Sequence, residues 1–290
     1  MLAFALEAGE PRAGVVVLAH GGSERWNELV RETVTQAALT YPVEVAFGMG
    51  FHAHEVHEAQ AAMDRLQAQG VSDVVVIPLL VSSHSDVYRQ YEYLFGMRRD
   101  SPWPDAAVQP LTVTAPVRFG APLDGHPYVA EILLERAQAL STDPTTEVVV
   151  LVAHGPTEEP DDVAWLHLMR QVAEALKAQG QFADVAARTL RDDASWRVRR
   201  RATHALRRLI REQSATHRVL VVPLLMARGG IEHKIPQRLH GLQYVYSGDT
   251  LLPHPQMARW IHESVERLLQ QPHPPSLSRA VGDAAQEMTR

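Results

Sequence analysis

Two histidines of this chain follow similar runs of apolar residues. His20 lies in the stretch VVVLAHGG (Val15–Gly22), and His154 lies in VVVLVAHGP (Val148–Pro156). In each case a glycine follows, which lets the backbone turn sharply and lets a ligand approach closely. A neutral imidazole can bind a divalent metal, and it accepts protons near neutral pH. Histidines at two strand ends therefore favour metal or proton chemistry, although one such histidine alone would be typical of a structural side chain.

The elements that would position these histidines occur twice. Each half of the chain alternates short valine-rich runs with longer amphipathic segments. Further segments repeat in the same order, Val74–His84 with Val219–His233 and Gly125–Leu140 with Pro253–Leu269. We predict a duplicated domain, which fits the length of 290 residues. The predicted units are residues 1–141, residues 142–270 and a poorly ordered tail over 271–290.

The valine-rich runs are apolar almost throughout, as in parallel strands that are covered on both faces. The pattern predicts the α/β class, with an open parallel sheet flanked by helices in each half. The predicted strands are Val15–Ala19, Val43–Phe47, Val74–Leu80, Val148–Ala153, Ala183–Ala187 and Val219–Leu224. The predicted helices are Glu24–Leu39, Glu55–Gln69, Asp161–Gln179 and Ser195–Gln213. Ligands bind at the carboxyl ends of such strands, where we expect His20, His84, His154 and His233.

These motifs resemble a known enzyme family. A strand that ends in His20-Gly21, a later strand with Pro78-Leu79-Leu80 before His84, and His-Pro helix starts are similar to the sirohydrochlorin chelatases. Enzymes of that family insert Co²⁺ or Fe²⁺ into a tetrapyrrole without ATP. The resemblance implies two tandem chelatase-like domains with a cleft between them. It also implies a sirohydrochlorin cobaltochelatase, with iron as the less favoured metal.

The resemblance assigns roles to two residues. His20 and His84 match the histidines that bind the incoming metal and accept pyrrole protons in the family. The metal is then a substrate, and no nucleotide cofactor is expected. The chain has no Gly-x-Gly-x-x-Gly after either first strand and no P-loop, which counts against nucleotide binding.

One position departs from the family pattern. A carboxylate often follows the second strand, but this chain has Met49 there. A thioether is a poor ligand for Co²⁺ or Fe²⁺ and does not accept a proton at neutral pH. We expect His52 to replace it as a metal ligand. The alternatives are His54, Glu55, Glu58 or an impaired enzyme.

A local cluster overlaps these candidates. His54, His57 and Glu58 are spaced to share one helix face, so they could bind a metal. A solvated helix start is the competing interpretation. In the second half, His154 and His233 could form a second site, or that half could serve only as the other wall of the cleft.

A tetrapyrrole with many carboxylates needs cations to hold it. Arg228, Arg188 and Lys234 are the expected binding residues, and Arg191 is a further candidate. Arg228 is preferred because Gly229 and Gly230 would let a large flat ligand approach.

Composition excludes several other classes. The chain has no cysteine, so it has neither disulfides nor thiolate metal sites. The net charge of −6 disfavours a nucleic-acid binder, although the helix Ser195–Glu212 is rich in arginine. We expect its apolar stripe, which includes Trp196, to pack inward. No apolar run is long enough to span a membrane, and the first residues make a poor signal peptide.

We therefore expect a cytoplasmic protein that is monomeric, because one chain contains both halves. Two other functions stay open. One is a non-catalytic relative that binds metal or tetrapyrrole, which Met49 favours. The other is an unrelated ligand-binding protein of the periplasmic-binding or Rossmann type.

Overall fold

A computed structural model describes residues 12–48, 53–103 and 108–272, and for 53–55 it describes only the backbone. The predicted tail beyond residue 272, Met49 and His52 lie outside this part. The first half contains β1 (Ala13–Ala19), α1 (Glu24–Gln36), β2 (Val43–Phe47), α2 (Ala53–Ala68), β3 (Asp73–Leu79), α3 (Asp86–Leu94), β4 (Val117–Phe119) and α4 (Pro127–Leu140). After a 3₁₀ turn at Pro144–Thr146, the second half contains β5 (Glu147–Ala153), α5 (Glu159–Gly180), β6 (Asp184–Thr189), α6 (Trp196–Gln213), β7 (Arg218–Leu224), α7 (Ile231–Arg238), β8 (Val245–Tyr246) and α8 (Pro255–Gln270).

The strands form two parallel sheets with the same connectivity. Their orders are β2-β1-β3-β4 and β6-β5-β7-β8. In the first sheet Ala19 pairs with Phe47 on one side and with Leu79 on the other. In the second sheet Ala153 pairs with Thr189 and Leu224 in the same way. This confirms the α/β class with two chelatase-like sheets, and the repeated register reflects the duplication.

Beyond their first residues the central strands are apolar, because helices cover both of their faces. Along β1, Val15 and Val17 pack into a core that is shared by the two halves, and Val16 and Leu18 pack into a separate core with α2 and α3. Strand β5 alternates in the same way between the shared core and a third core that includes α6 and α7. Alternation between two buried faces explains why no polar residue interrupts these strands.

The last helix of each half packs on the other half. Helix α8 lies against α1, β3 and β4, and helix α4 lies against α5 and β7. The His262 Nδ1–H of α8 donates to the Ala37 carbonyl at 3.0 Å, and Arg136 of α4 donates to the Thr250 carbonyl at 3.3 Å. Arg118 of β4 donates to the Leu268 carbonyl at 2.9 Å. Helices α4 and α8 therefore form the layer between the sheets and join the halves.

Loops from the carboxyl edges of the two sheets also contact each other. Trp26, near the start of α1, packs so closely on Gly229 that a Cβ added there would be 2.8 Å from the indole. Thr157, after β5, donates to the Asp86 carboxylate at 2.9 Å. The loop after each first strand therefore contacts an element that follows the third strand of the other half.

Some boundaries differ from the sequence predictions. The first helix ends at Gln36 rather than Leu39, because Ala38 has a φ of 49° and leaves the helical conformation. The expected C-cap at Gly70 is confirmed by its φ of 79°. Among the described helices, none is both long enough and apolar enough to cross a membrane.

Candidate metal-binding edge of the paired sheets

The two His-Gly pairs have the same local geometry. The Nδ1 atoms of His20 and His154 lie 2.9 Å from the carbonyl oxygens of Gly21 and Gly155, respectively. A carbonyl only accepts, so in each ring Nδ1 carries the proton and Nε2 carries the lone pair. Metal-binding histidines are commonly fixed in one tautomer by such a bond. In both imidazoles the same hydrogen bond therefore fixes the ring and makes Nε2 the acceptor nitrogen of the neutral form.

The glycines make this geometry accessible. Gly21 and Gly155 have φ angles of 80° and 75°, in the left-handed region that other residues rarely adopt. A Cβ added to Gly21 would lie 3.2 Å from the Phe47 Cβ, and one added to Gly155 would lie 2.5 Å from the Thr189 Cβ. The glycine is thus required both for the turn of the backbone and for close packing against the end of the neighbouring strand.

His84 lies at the same edge as His20. It follows β3, which pairs with β1, and it is half-buried immediately before Ser85, the N-cap of α3. The backbone N–H of His84 donates to the Ser82 hydroxyl at 3.1 Å, and that of Ser83 donates to the Asp124 carboxylate at 2.7 Å. These bonds fix the loop, so both predicted catalytic histidines follow adjacent strands at one carboxyl edge.

His233 does not repeat His84. The N-cap of α7 is Gly230, and the residue directly before it, equivalent in position to His84, is Gly229. His233 is within α7, 79% exposed, with Nε2 3.2 Å from Glu232. The expectation that His233 lies at the strand end was wrong. The loops after β3 and β7 have the same length, so the residue equivalent to His84 is Gly229. Trp26 packs against Gly229 so closely that a larger residue there would clash.

The region after β2 contains the candidates for the missing carboxylate. Met49 and His52 are outside the described residues, and so are the side chains of His54 and Glu55. Glu58 accepts the Phe47 N–H at 3.1 Å. The Gly48 N–H donates to the Ala19 carbonyl of β1. Successive N–H groups of a strand point to opposite sides, so the Phe47 N–H points to the free edge of the sheet. Glu58 therefore covers that outer edge, on the opposite side of β2 from β1.

The expected cations have different surroundings. Arg228 follows β7, is 52% exposed, and pairs with Asp249 at 2.5 Å. Arg188 lies within β6 rather than beyond it. Its burial, and to a lesser degree the nearby Arg208, lowers the pKa of its guanidinium group. Lys234 forms an ion pair with Asp192. Arg191 is buried and bonds to the carbonyls of Pro156 and Thr157 and to Glu159, so it holds the loop after β5 instead of facing a ligand.

Two further predictions are corrected or explained by the structure. Trp196 is 59% exposed rather than packed inward, because it begins α6 beyond the edge of the sheet. The His-Pro segments are helix caps, since the Nδ1 atoms of His126 and His254 accept the backbone N–H groups of Tyr128 and Gln256. These two histidines are therefore structural.

Sequence reasoning missed two groups at the carboxyl edges. One is the set of ion pairs around Arg89, Asp86 and Asp161, which only the folded chain brings together. The other is Asp192 and Asp193, which approach His154. Their position directly after a predicted strand was a usable signal for the second group.

The CbiX family model matches residues 14–140 and again residues 148–268. The chain therefore belongs to the CbiX family, and this confirms the resemblance to the sirohydrochlorin chelatases. Membership makes it a chelatase of the sirohydrochlorin type and defines the divalent metal as a substrate. No curated protein sequence matches the chain.

Two solved structures have the same fold. SirB from Bacillus subtilis with Fe³⁺ is 15% identical, with a TM-score of 0.63 over 89% of this chain and 95% of that one. DR2241 from Deinococcus radiodurans, described as a multi-domain protein with structural similarity to chelatases, is 20% identical, with a TM-score of 0.55. The match covers 91% of this chain and 56% of DR2241.

Proposed function

We propose that the chain inserts Co²⁺ into sirohydrochlorin, in the cleft between its halves, and that Fe²⁺ is the less favoured metal. The observation that carries this proposal is the hydrogen bond from His20 Nδ1–H to Gly21, because it fixes the orientation of the ring and makes Nε2 the acceptor nitrogen of the neutral imidazole. Imidazole ligands suit both metals, and the usual affinity order for nitrogen ligands favours Co²⁺ over Fe²⁺.

In this proposal His20 and His84 share the chemistry. The insertion replaces two pyrrole protons by one divalent ion, so it needs a weak metal site and a base of near-neutral pKa. Neutral imidazole can serve in both roles. One histidine hands the metal to the ring, while the other accepts the released protons and passes them to water. His52 is the proposed third metal ligand.

The carboxylates of the substrate would be bound by cations of the second half, near the carboxyl edge of its sheet. Arg228 is the best supported of the three candidates, because it lies in the loop after β7 and half of its side chain is exposed. Lys234 is the second, although its ammonium group is paired with Asp192. Arg188 has the weakest support, because it lies within β6 and its guanidinium group is partly buried, which lowers its pKa.

The proposal is tested by anaerobic absorbance spectroscopy of sirohydrochlorin with equal concentrations of Co²⁺ or Fe²⁺. We expect the spectrum of the metallated product to develop faster with protein than without it, and faster for Co²⁺. Metal binding with no acceleration over the protein-free control would instead identify a carrier.

A further inference from the structure

A group of metal-ligating side chains lies at the carboxyl edge of the second sheet. One nitrogen of His154 and one carboxylate oxygen from each of Asp192 and Asp193 lie within 4.8 Å of one another. The three residues come from the loops after β5 and β6, which are paired strands. A nitrogen and two oxygens at this spacing can reach one cation.

The orientation of His154 directs its second ring nitrogen at a carboxylate. Its Nδ1–H is bonded to Gly155, so the Nε2 lone pair faces the Asp193 oxygen at 3.4 Å. A proton or a metal cation placed there would be attracted to both. Asp193 is 64% exposed, so a hydrated ion can reach it from solvent.

Asp192 has a different environment. It is 7% exposed, and its two oxygens pair separately with Arg238 and Lys234. The Arg238 side chain is 13% exposed and also donates to the Leu190 carbonyl at 2.9 Å, so it is held in place. Lys234 is 46% exposed and pairs with the other oxygen. If this flexible ammonium group moves away, the buried Asp192 carboxylate keeps its ion pair with Arg238.

We propose that His154, Asp193 and Asp192 form a second divalent-metal site, and that the Lys234 ammonium group occupies the position of the metal beside Asp192 when no metal is bound. The mixed nitrogen and oxygen ligands select a transition metal such as Co²⁺, Fe²⁺, Ni²⁺ or Zn²⁺ over Mg²⁺ or Ca²⁺. This site goes beyond the proposed insertion at His20 and His84, and it does not depend on it.

The duplicated halves differ at this position. Thr189 and Phe47 are equivalent, because they pair with Ala153 and Ala19. The third and fourth residues after them are Asp192 and Asp193 in the second half but Gly50 and Phe51 in the first. Conversely, the loop after β7 has Gly229 where the first half has His84. The His-Gly histidine of the first half thus shares its sheet edge with another histidine, whereas that of the second half lies close to two carboxylates.

The test is anaerobic equilibrium dialysis of Co²⁺ against the full-length chain, without tetrapyrrole, with the visible absorption of the bound ion as a second readout. We expect Asp193→Asn and His154→Ala each to bind one Co²⁺ fewer than the unmodified protein. His204→Ala, which removes an exposed histidine of α6, is the matched control and is expected to bind the same number. Asp193→Asn replaces an exposed side chain with one of equal size, so the fold is expected to persist.

Lys234→Met adds a result that a merely structural role would not produce. Removal of the competing ammonium group is expected to tighten Co²⁺ binding at this site by roughly two- to fivefold, the range of a partly exposed ion pair. Unchanged stoichiometry and affinity in Asp193→Asn and His154→Ala would overturn the proposal. His20→Ala separates the two proposals, because it reports on the first-half site and leaves the dependence on Asp193 intact.

Discussion

Arg89 and Asp161 form a two-bonded ion pair between the halves of the molecule, with Nη–Oδ distances of 3.1 and 2.7 Å. Arg89 also bonds to Asp86, which accepts a hydrogen bond from Thr157. The hydrogen bond to Asp161, and to a lesser degree the one to Asp86, raises the pKa of the Arg89 guanidinium group, although burial acts in the opposite direction. This network begins two residues after His84, so it ties a candidate catalytic loop to the loop that follows β5.

The ion pair is expected to couple the halves energetically. In a double-mutant cycle, Arg89→Met and Asp161→Asn should give a coupling energy of about 1–2 kcal/mol, because both side chains are mostly buried and the geometry is bidentate. Urea unfolding of the four proteins measures it.

Lys177 and Asp184 provide the control, because this pair is half exposed on both sides and lies within one half. Its cycle should give less than about 0.5 kcal/mol. Equal coupling energies in the two cycles would show that the pair between the halves stabilises the fold no more than an exposed pair within one half.

Gly21→Ala is expected to impair metal chemistry more than stability. The substitution places a methyl group at a φ of 80° and 3.2 Å from the Phe47 Cβ, which should turn the Gly21 carbonyl away from His20. We expect a loss of at least about tenfold in the insertion rate, which is a change of about 1.4 kcal/mol in the barrier.

Gly241→Ala is the matched control for this prediction. Gly241 has nearly the same φ, 79°, but a Cβ there would contact nothing within 4 Å. Both variants should lose about 1–2 kcal/mol of stability from the left-handed backbone. An equal loss of insertion rate in both would refute the role of the Gly21 carbonyl.

The placement of the His-Gly pairs and of His84 after their strands was readable from the sequence, whereas the position of His233 and the carboxylates near His154 were not. An apolar run followed by His-Gly predicts a strand end, because the interior positions of a strand that is buried on both faces are apolar. The misplacement of His233 arose from the assumption that similar segments end at equivalent residues. Packing of Trp26 against Gly229 is a contact between distant parts of the chain, and no local pattern indicates it.

The two carboxylates near His154 illustrate the same limit. Asp192 and Asp193 are 38 and 39 residues from His154 in sequence, and the pairing of β5 with β6 brings them together. Trp196 was misassigned because helical periodicity identifies a face but not where the covering sheet ends. Periodicity therefore predicted the elements, while the contacts between them required the structure.

Glu147 gives a prediction for acid stability. Its side chain is fully buried at the start of β5. Burial alone would raise its pKa, but the Ser141 hydroxyl, the Thr142 backbone N–H and Arg218 outweigh this and lower the pKa from 4.5 to about 2. A carboxyl group with a lowered folded-state pKa stabilises the fold above its unfolded value and loses that contribution as the pH falls toward 2.

The measurement is urea unfolding between pH 3 and 6 for the unmodified protein and for Glu147→Gln. At pH 6 the variant should be the less stable protein, and the difference in the free energy of unfolding should shrink steadily as the pH is lowered. A difference that stays constant over this range would contradict the lowered pKa.

The most direct test of the central claim is the initial rate of Co²⁺ insertion into sirohydrochlorin by the unmodified protein, His20→Ala, His84→Ala and His217→Ala. His217 lies just before β7 at the opposite end of the second sheet, so its variant is the control. We expect the rates of His20→Ala and His84→Ala to fall to the protein-free rate, while His217→Ala keeps the full rate. Full activity in both His20→Ala and His84→Ala would contradict this claim.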